Sequence, residues 1–408
     1  MRWGFRLPLF GHGMLIVVSL LILVLAGCTQ NQFTAQGGWA GGALGKDEMG
    51  DDLLYIGTQE GTLIALKARQ DFLAPSERLL GNFPSESGAE EEQLLAIYGT
   101  PVLAGGHVLF GAYNGVVYSL DSSNPKSWGA AASGKFPTEG PIVGGTAITE
   151  IRSGETLVLV GSSDEHFYGL ELDERTGQLF EFWPPFKTEG KIWATPEVVG
   201  GVAYFGNLDH KLYALDVETW QEVWSEPFEA GGAFISSPKI VDGRLYIGSM
   251  DRKMYALDAS TGLPVWAQAF EADSWFWAKP VSDGNRVYVG NMDGFLYALD
   301  VTSGKLVWKF DTGGPVMVPP LITEQGLMVA SDSGRVWFLD RERGEQMSYL
   351  DDQNKLRLYP RFFDVGDPVR APLLLGDGAV YLFPMSNTIV SLDPKRGTPF
   401  WSFSTESE

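Results

Sequence analysis

An internal repeat is the feature that most constrains the fold of this chain. Three copies match almost residue for residue over positions 203–308, and each has a Tyr-x-Gly segment, a Tyr-Ala-Leu-Asp segment and a Val-Trp segment. The glycine of the first segment recurs every 42 residues, at Gly206, Gly248 and Gly290. Such a period indicates supersecondary units that bury their apolar faces only by packing against their neighbours.

Weaker copies extend the array in both directions to a total of eight. Three lie upstream and two downstream, around Gly57, Gly111, Gly161, Ala330 and Phe383. Each unit contains four short apolar runs separated by Gly-containing turns, which is the pattern of antiparallel hairpins. Eight such units predict an all-β, eight-bladed β-propeller of four-stranded antiparallel blades, because radial closure leaves few open strand edges.

The composition agrees with a turn-rich β fold and excludes two classes of partner. The 408 residues include 50 glycines and carry a net charge of −21. So acidic a protein lacks the basic surface that nucleic acids and anionic lipid headgroups require. Solubility is the simplest reason for the acidity.

The N-terminus has the pattern of a bacterial export signal. Arg2 and Arg6 precede an apolar run that is too short for a comfortable transmembrane helix and ends in Leu-Ala-Gly-Cys. The sequence has one cysteine, Cys28, and this end resembles the lipobox of bacterial lipoproteins, whose cysteine is acylated. We therefore expect a signal peptide over residues 1–27, a flexible tether over 28–38 and the propeller over 39–408. An ordinary signal peptide with an incidental cysteine is the alternative.

The run Ala-Leu-Asp-x-x-Thr-Gly-x-x-x-Trp resembles the tryptophan-docking repeat of the PQQ propeller superfamily. The resemblance extends over residues 40–404 and is strongest over 195–310. The superfamily holds quinoprotein alcohol dehydrogenases and also non-enzymatic members, among them the BamB-type lipoproteins of the outer-membrane β-barrel assembly machinery. The dehydrogenases normally have an adjacent Cys-Cys pair, which a sequence with one cysteine cannot form.

Residues that recur in the copies are expected to build the scaffold. Large indoles at one position of the repeat are expected to fill the wedge between blades, with the N–H on a backbone acceptor; they are Trp224, Trp266, Trp308 and Trp401. Turn aspartates are expected to cap their own turns, with a cation site as the alternative; they are Asp164, Asp209, Asp251, Asp293 and Asp332. The repeated glycines are expected where a strand is closely approached.

Function is expected where the copies differ. If the Pro-led strand is innermost, the residues before each proline share one face with the Ser/Asn-x-Asp-Gly turns. Mostly apolar pairs precede the prolines: Ile97 and Tyr98, Ile192 and Trp193, Phe234 and Ile235, Phe276 and Trp277, Val316 and Met317, and Val369 and Arg370, with Trp275 in addition. An apolar, aromatic surface of this kind is typical of a protein-docking site. Packing between blades or in the central channel is the alternative.

Catalytic patterns are absent from the sequence. There is no G-x-S-x-G, H-E-x-x-H or phosphate-binding loop. His166 and His210 follow turn aspartates in adjacent copies and are either solvated or able to hold a metal with carboxylates. We expect no enzyme activity, no cofactor and no metal. Two low-similarity inserts, 84–93 and 345–367, are expected to be surface loops.

The sequence therefore predicts a lipid-anchored, extracytoplasmic and monomeric propeller that binds a protein or peptide partner at the cell envelope. We expect it on the periplasmic side of an outer membrane, or on the outer face of the cell membrane where no outer membrane exists. Participation in outer-membrane protein assembly is what the resemblance implies. The alternative is a sensor or PQQ-type cofactor binder that uses the central channel. Ring closure stays open, because the first copy lacks the proline, the Thr-Gly turn and the docking tryptophan.

Overall fold

Eight antiparallel sheets follow one another along the sequence. The computed structural model describes residues 40–58, 60–68, 73–84, 93–128, 132–350, 356–358, 362–376 and 378–405. Each sheet is a blade made of strands that are consecutive in sequence, apart from one inserted hairpin. The prediction of an all-β, eight-bladed propeller is therefore confirmed.

The first four blades run from residue 42 to residue 229. Their strands are β1 (Gly42–Lys46), β2 (Asp52–Gly57), β3 (Leu63–Lys67) and β4 (Leu79–Phe83); β5 (Val102–Ala104), β6 (His107–Gly111), β7 (Val116–Asp121) and β8 (Gly134–Pro137); β9 (Ala147–Glu150), β10 (Thr156–Gly161), β11 (His166–Leu172) and β12 (Leu179–Lys187); and β13 (Glu197–Val199), β14 (Val202–Gly206), β15 (Lys211–Asp216), β16 (Gln221–Glu222) and β17 (Phe228–Glu229). The outer edge of blade 4 is split between β16 and β17, which both pair with β15.

The last four blades run from residue 239 to residue 404. Their strands are β18 (Lys239–Val241), β19 (Arg244–Gly248), β20 (Lys253–Asp258) and β21 (Phe270–Glu271); β22 (Val281–Ser282), β23 (Arg286–Gly290), β24 (Phe295–Asp300) and β25 (Leu306–Asp311); β26 (Leu321–Ile322), β27 (Leu327–Ala330), β28 (Arg335–Leu339), the hairpin β29 (Ser348–Leu350) and β30 (Leu356–Leu358), and β31 (Phe363–Asp364); and β32 (Leu374–Gly376), β33 (Ala379–Leu382), β34 (Thr388–Asp393) and β35 (Thr398–Ser404). The predicted surface loop 345–367 thus contains a hairpin and the outer strand of blade 7.

Helical structure in the described residues is limited to short turns. A four-residue α-helix spans Pro75–Arg78, and a 3-10 helix spans Pro125–Ser127. In this part of the protein no helix is both long and apolar enough to pass through a membrane. The predicted signal peptide, Cys28 and tether, and residues 85–92 of the first insert, lie outside the described residues.

The ring closes by contact between its first and last blades. The first strand of each early blade lies beside that of the next, and β1 also contacts β32 of blade 8. Blades 1 and 8 share one apolar layer that includes Leu54, Ile64, Tyr381 and Trp401. Because all four strands of each of these blades are consecutive in sequence, packing between complete blades joins the two ends of the array.

The apolar core consists of layers between neighbouring blades. One layer joins Tyr204 and Trp224 of blade 4 to Leu245 and Leu257 of blade 5. Alternate side chains of the second and third strands point to opposite faces of a blade, so each blade contributes to two layers. Burial of these layers is the main favourable contribution to folding.

The repeated tryptophans lie at these layers. The indole N–H of Trp224 donates to the carbonyl of Ala259 in the next blade at 2.9 Å, and that of Trp266 donates to Val301 at 3.2 Å. A Cβ added to Gly262 would lie 2.7 Å from the Trp224 ring, because the indole covers the Thr-Gly turn of the next blade. Trp308 repeats this arrangement with a bond of 3.0 Å to Arg341.

Two further tryptophans lie in the layers between blades but outside the repeated Asp-to-Trp pattern of the sequence. Trp183 occupies the docking register of blade 3 and donates to the carbonyl of Val217 at 3.1 Å. Trp128 of blade 2 lies 6.0 Å from Tyr55, ring centre to ring centre, and so fills the wedge for which blade 1 has no tryptophan. Trp183 lies outside the Asp-to-Trp spacing because residues are inserted before it, and Trp128 follows Asp121 by seven residues instead of eight.

Candidate docking surface

Two sets of connections meet on one face of the propeller. The lead-in loops are the segments before each first strand, such as 188–196, 230–238 and 272–280. The central turns join the second and third strands, as at 207–210, 249–252 and 291–294. The backbone N–H of Met250 donates to Ala233 and that of Phe234 donates to Asn207, so one lead-in loop is tied to the central turns of two blades. The same bonds recur from blade 2 to blade 8 and form a continuous belt of backbone hydrogen bonds on this face.

The first residue of each lead-in pair is fully buried. These residues, all 0% exposed, are Ile97, Ile192, Phe234, Phe276, Val316 and Val369. They explain the glycines of the Tyr-x-Gly segments, since a Cβ at Gly206 or Gly248 would lie 2.3 Å from the Cβ of Phe234 or Phe276. Phe234 and Phe276 therefore pack between blades, and the interpretation of them as docking residues is corrected.

The second residue of each pair lies at the surface end of the innermost strands. Five of these side chains are half-buried, namely Tyr98, Trp193, Ile235, Trp277 and Arg370, and Trp275 in the same loop as Trp277 is half-buried as well. Met317 is 7% exposed and lies mostly beneath the surface. The pairs thus divide between packing and surface, because adjacent residues of an extended segment point in opposite directions.

Contacts hold several of these side chains in place. The ring of Tyr98 lies edge-on to Tyr113 at 5.6 Å, and burial raises the pKa of Tyr98 to about 12. The Trp193 indole donates to Ser163 Oγ at 3.0 Å. These contacts define an ordered surface.

Arg370 is the charged member of this set of side chains, and it forms an ion pair. Its Nε donates to Asp332 Oδ1 at 2.6 Å, and its second terminal nitrogen donates to Oδ2 at 3.2 Å. Asp332 therefore binds an arginine of the next lead-in loop, whereas it was expected to cap its own turn. The bidentate geometry fixes the guanidinium.

The central turns add apolar residues that the sequence patterns did not single out. Leu208, Met250 and Met292 occupy the variable position of the Ser/Asn-x-Asp-Gly turns, and all three are half-buried. Their backbone N–H groups donate to carbonyls of the lead-in loops, at the residues two positions before Trp193, Ile235 and Trp277. A variable, apolar position inside an otherwise repeated polar turn is the signal that could have identified them. We call Trp193, Ile235, Trp275, Trp277, Leu208, Met250 and Met292 the apolar belt.

Acidic residues follow the apolar residues of the belt in the central turns. Asp251 accepts the backbone N–H of Lys253 at 3.0 Å and the hydroxyl of Tyr255 at 2.5 Å, and Asp293 makes the same two bonds with Phe295 and Tyr297. Asp164 is held in the same way by His166 and Tyr168. In blade 4 it is Asn207, rather than Asp209, that caps the turn. These carboxylates rigidify their turns and form an acidic rim.

A charged cluster lies on the innermost strands beneath the apolar belt. Glu197 of β13 accepts from Lys239 Nζ of β18 at 2.8 Å and from Lys279 Nζ, just before β22, at 2.6 Å. Burial opposes ionisation of Glu197, but Lys279 and Lys239 together lower its carboxyl pKa below the usual value. Three neighbouring blades thus contribute one charged group each.

In the described part of the protein, no three His, Cys, Asp or Glu side chains lie close enough together to hold a metal ion. His166 Nδ1 lies 2.9 Å from the carbonyl of Asp164, and His210 is exposed on its turn.

The closed ring of blades and its docked tryptophans define a PQQ-type propeller. A family model described as outer membrane protein assembly factor BamB matches residues 170–274 and 266–408. Because these matches cover more than half of the sequence, the protein belongs to that family. No curated protein matches the sequence.

Solved structures show the same fold at low sequence identity. BamB from Moraxella catarrhalis is 20% identical with a TM-score of 0.52, covering 74% of this protein and 80% of that one. The Saccharomyces cerevisiae protein Sqt1 is 11% identical with a TM-score of 0.64, covering 92% and 98%. The computationally designed protein Ika8 is 15% identical with a TM-score of 0.61, covering 90% and 96%.

Proposed function

We propose that this protein is a non-enzymatic scaffold of outer-membrane protein assembly that binds a protein partner through the apolar belt. Cys28 carries a lipid that holds the propeller at the periplasmic side of the outer membrane. The proposal rests on the family, on the sequence around Cys28 and on the surface chemistry of one face.

The apolar belt is the observation that carries the proposal. It places three half-buried tryptophans, two methionines, a leucine and an isoleucine on one face of a protein with a net charge of −21. Tryptophan and methionine are enriched at protein interfaces, and a buried tryptophan contributes a large apolar area. The acidic rim around the belt supplies the polar border that docking surfaces usually have.

The decisive experiment is complementation with a double variant, Trp193→Ala with Trp277→Ala. In a strain that lacks the chromosomal copy, we expect wild-type protein to restore outer-membrane β-barrel levels and to co-purify with the assembly machinery. The double variant should be exported and folded yet fail in both measurements, because the centre of the docking surface is removed.

Phe400→Ala is the matched control. Phe400 is an exposed aromatic residue, 37% accessible, on the outer strand of blade 8 and away from the belt. It should behave as wild type. Equal co-purification by the belt variant and the control would overturn the proposed docking surface.

Cys28→Ser tests the anchor separately. We expect the variant to move from the membrane fraction to the soluble periplasm while it still binds the partner.

The competing function is tested by adding PQQ and Ca²⁺ to the purified protein. Cofactor absorbance together with dye-linked alcohol oxidation would overturn the scaffold assignment.

A further inference from the structure

The Glu197 cluster is unlike the corresponding places in the other blades. The residues aligned with Glu197 and Lys239 at the start of the other innermost strands are uncharged: Ala43, Val102, Ala147, Val281, Leu321 and Leu374. The residues aligned with Lys279 are uncharged too: Gly41, Thr100, Gly145, Thr195, Ser237, Pro319 and Pro372. The repeat therefore does not require charge here, and its three charged groups occur only in blades 4 to 6.

The cluster has an excess of positive charge. Two ammonium groups face one carboxylate, while the protein as a whole is strongly acidic. Each ammonium carries three N–H donors, and within the described residues each donates to Glu197 alone. The two lysine side chains are 34% and 31% exposed, whereas Glu197 is 15% exposed. Positive donors thus remain accessible around a mostly covered carboxylate.

The cluster lies directly below the aromatic part of the apolar belt. Lys279 is two residues after Trp277, and Glu197 is four residues after Trp193, at the start of strands that run inward from the belt. Hydroxyl groups lie at the same level: Thr195 Oγ1 accepts the N–H of Gly145, and Ser237 Oγ accepts the N–H of Thr195. A polypeptide that lies on Trp193 or Trp277 and extends along the innermost strands therefore meets apolar surface first and ammonium groups next.

We infer that Lys239 and Lys279 form a carboxylate-binding site that takes an acidic group of the docked polypeptide, while its apolar residues contact Trp193 and Trp277. The inference rests on the proposed docking function and specifies the chemistry of the partner segment. Glu197 holds the two ammonium groups together and competes with the incoming carboxylate. The carboxylate comes either from the C-terminus of the partner polypeptide or from one of its Asp or Glu residues.

Three short peptides separate these sources. N-acetyl-Ala-Leu-Leu with a free C-terminus carries a terminal carboxylate, its C-terminal amide carries none, and N-acetyl-Leu-Glu-Leu amide carries only the carboxylate of its glutamate. Titration of the full-length protein with each peptide, followed by saturation-transfer NMR, gives their relative dissociation constants. We expect at least one carboxylate peptide to bind about tenfold more tightly than the neutral amide. The tighter of the two identifies the source.

Variants assign the binding to the cluster. Lys239→Gln with Lys279→Gln should remove the preference for carboxylate and leave binding of the neutral amide unchanged. Glu197→Gln should tighten carboxylate binding several-fold, because the competing acid is removed. Lys211→Gln is the matched control, since Lys211 pairs with Glu189 on the same face but outside the cluster. Its preference should equal that of wild type.

Two results would overturn the inference. One is equal binding of the carboxylate and amide peptides by wild-type protein. The other is weaker carboxylate binding by folded Glu197→Gln, which would mean that the cluster only ties blades together. If the lysine variants lose peptide selectivity but still complement and co-purify, the anion site is separable from docking. If Trp193→Ala with Trp277→Ala complements fully while the peptides show the preference, the proposed docking function fails and the anion site stands.

Discussion

Two junctions between blades solve the same packing problem with different residues. Between blades 5 and 6, Trp266 covers the Ser-Gly turn at Gly304 and donates to the carbonyl of Val301. Between blades 8 and 1, Trp401 occupies the same register, but its buried indole N–H has no acceptor among the described residues. The guanidinium of Arg78 lies 4.0 Å from the centre of the Trp401 ring instead.

The difference follows from the first copy of the repeat. Blade 1 has no Thr-Gly turn, and the helix Pro75–Arg78 stands between its third and fourth strands. Arg78 is 2% exposed and also donates to the carbonyl of Lys67 at 2.7 Å. Tyr381 still donates to Ala68 at 2.9 Å, as Tyr246 does to Val301. The junction between blades 8 and 1, which we call the seam, therefore keeps the tyrosine hydrogen bond. The guanidinium of Arg78 contacts the indole ring there, whereas a Gly-containing turn does so at the regular junction.

Trp266→Ala should cause the largest loss of stability. The variant removes a buried indole and its hydrogen bond, and we expect the free energy of unfolding to fall by about 3–5 kcal/mol in chemical denaturation. Trp401→Ala should cost less, because its buried indole N–H donates to no described residue; loss of the Arg78 contact offsets part of this difference. Equal losses at the two junctions would contradict the distinction between them.

Arg78→Met should destabilise the seam by about 2–3 kcal/mol. The substitution keeps much of the side-chain volume but removes the cation over Trp401 and the bond to Lys67. Arg244→Met is the control at the regular junction, where Arg244 donates to Val301 at 3.3 Å and is partly exposed. We expect that control to lose no more than about 1 kcal/mol. The reverse order would show that the seam does not depend on Arg78.

Gly248→Ala should cost about 2 kcal/mol at the regular junction. The added methyl would lie 2.3 Å from the Cβ of Phe276, so the lead-in loop must shift. Blade 7 already has Ala330 at the aligned position, beneath the smaller Val369. Ala330→Gly should therefore change stability by about 1 kcal/mol or less. Similar effects at both sites would mean that the close approach of Phe276 does not make glycine necessary at position 248.

The smallest effect is a pH dependence from Glu197. Its pKa is lowered in the folded protein, so the unfolded state binds the proton more readily. This contribution to stability is present above the unfolded pKa and is lost as the pH falls through the folded value. Between about pH 5 and pH 3, the melting temperature of the wild type should fall more than that of Glu197→Gln. Parallel curves would show that Glu197 is not linked to folding.

Local sequence patterns predicted much of the fold. The repeat at Gly206, Gly248 and Gly290 and its alternating strands predicted four-stranded blades, and the five weaker copies around it gave the number of blades. Trp183 was missed because inserted residues move it from the Asp-to-Trp spacing, and Trp128 was missed because it follows Asp121 by seven residues instead of eight. Only the strand register and the ring contact identify them.

The candidate site was predicted less completely. The lead-in segments and the central turns were correctly predicted to share one face, because strand order alone determines which turns share an end of a blade. The docking role of that face stays a prediction. The sequence did not distinguish the buried Phe276 from the half-buried Trp277, since both are large and aromatic. It also gave no reason to join Glu197 to Lys279, which is 82 residues away in sequence.

The repeat alone determined that this protein forms a ring of blades, because each unit can bury its apolar faces only against a neighbour. The tertiary structure decided how the ring closes, which member of each lead-in pair reaches the surface, and which charges meet on the innermost strands. These depend on distances between blades, and a local pattern does not encode them. Closure of the ring brings Arg78 to Trp401. Packing of the neighbouring blades 4, 5 and 6 brings Glu197, Lys239 and Lys279 into one cluster.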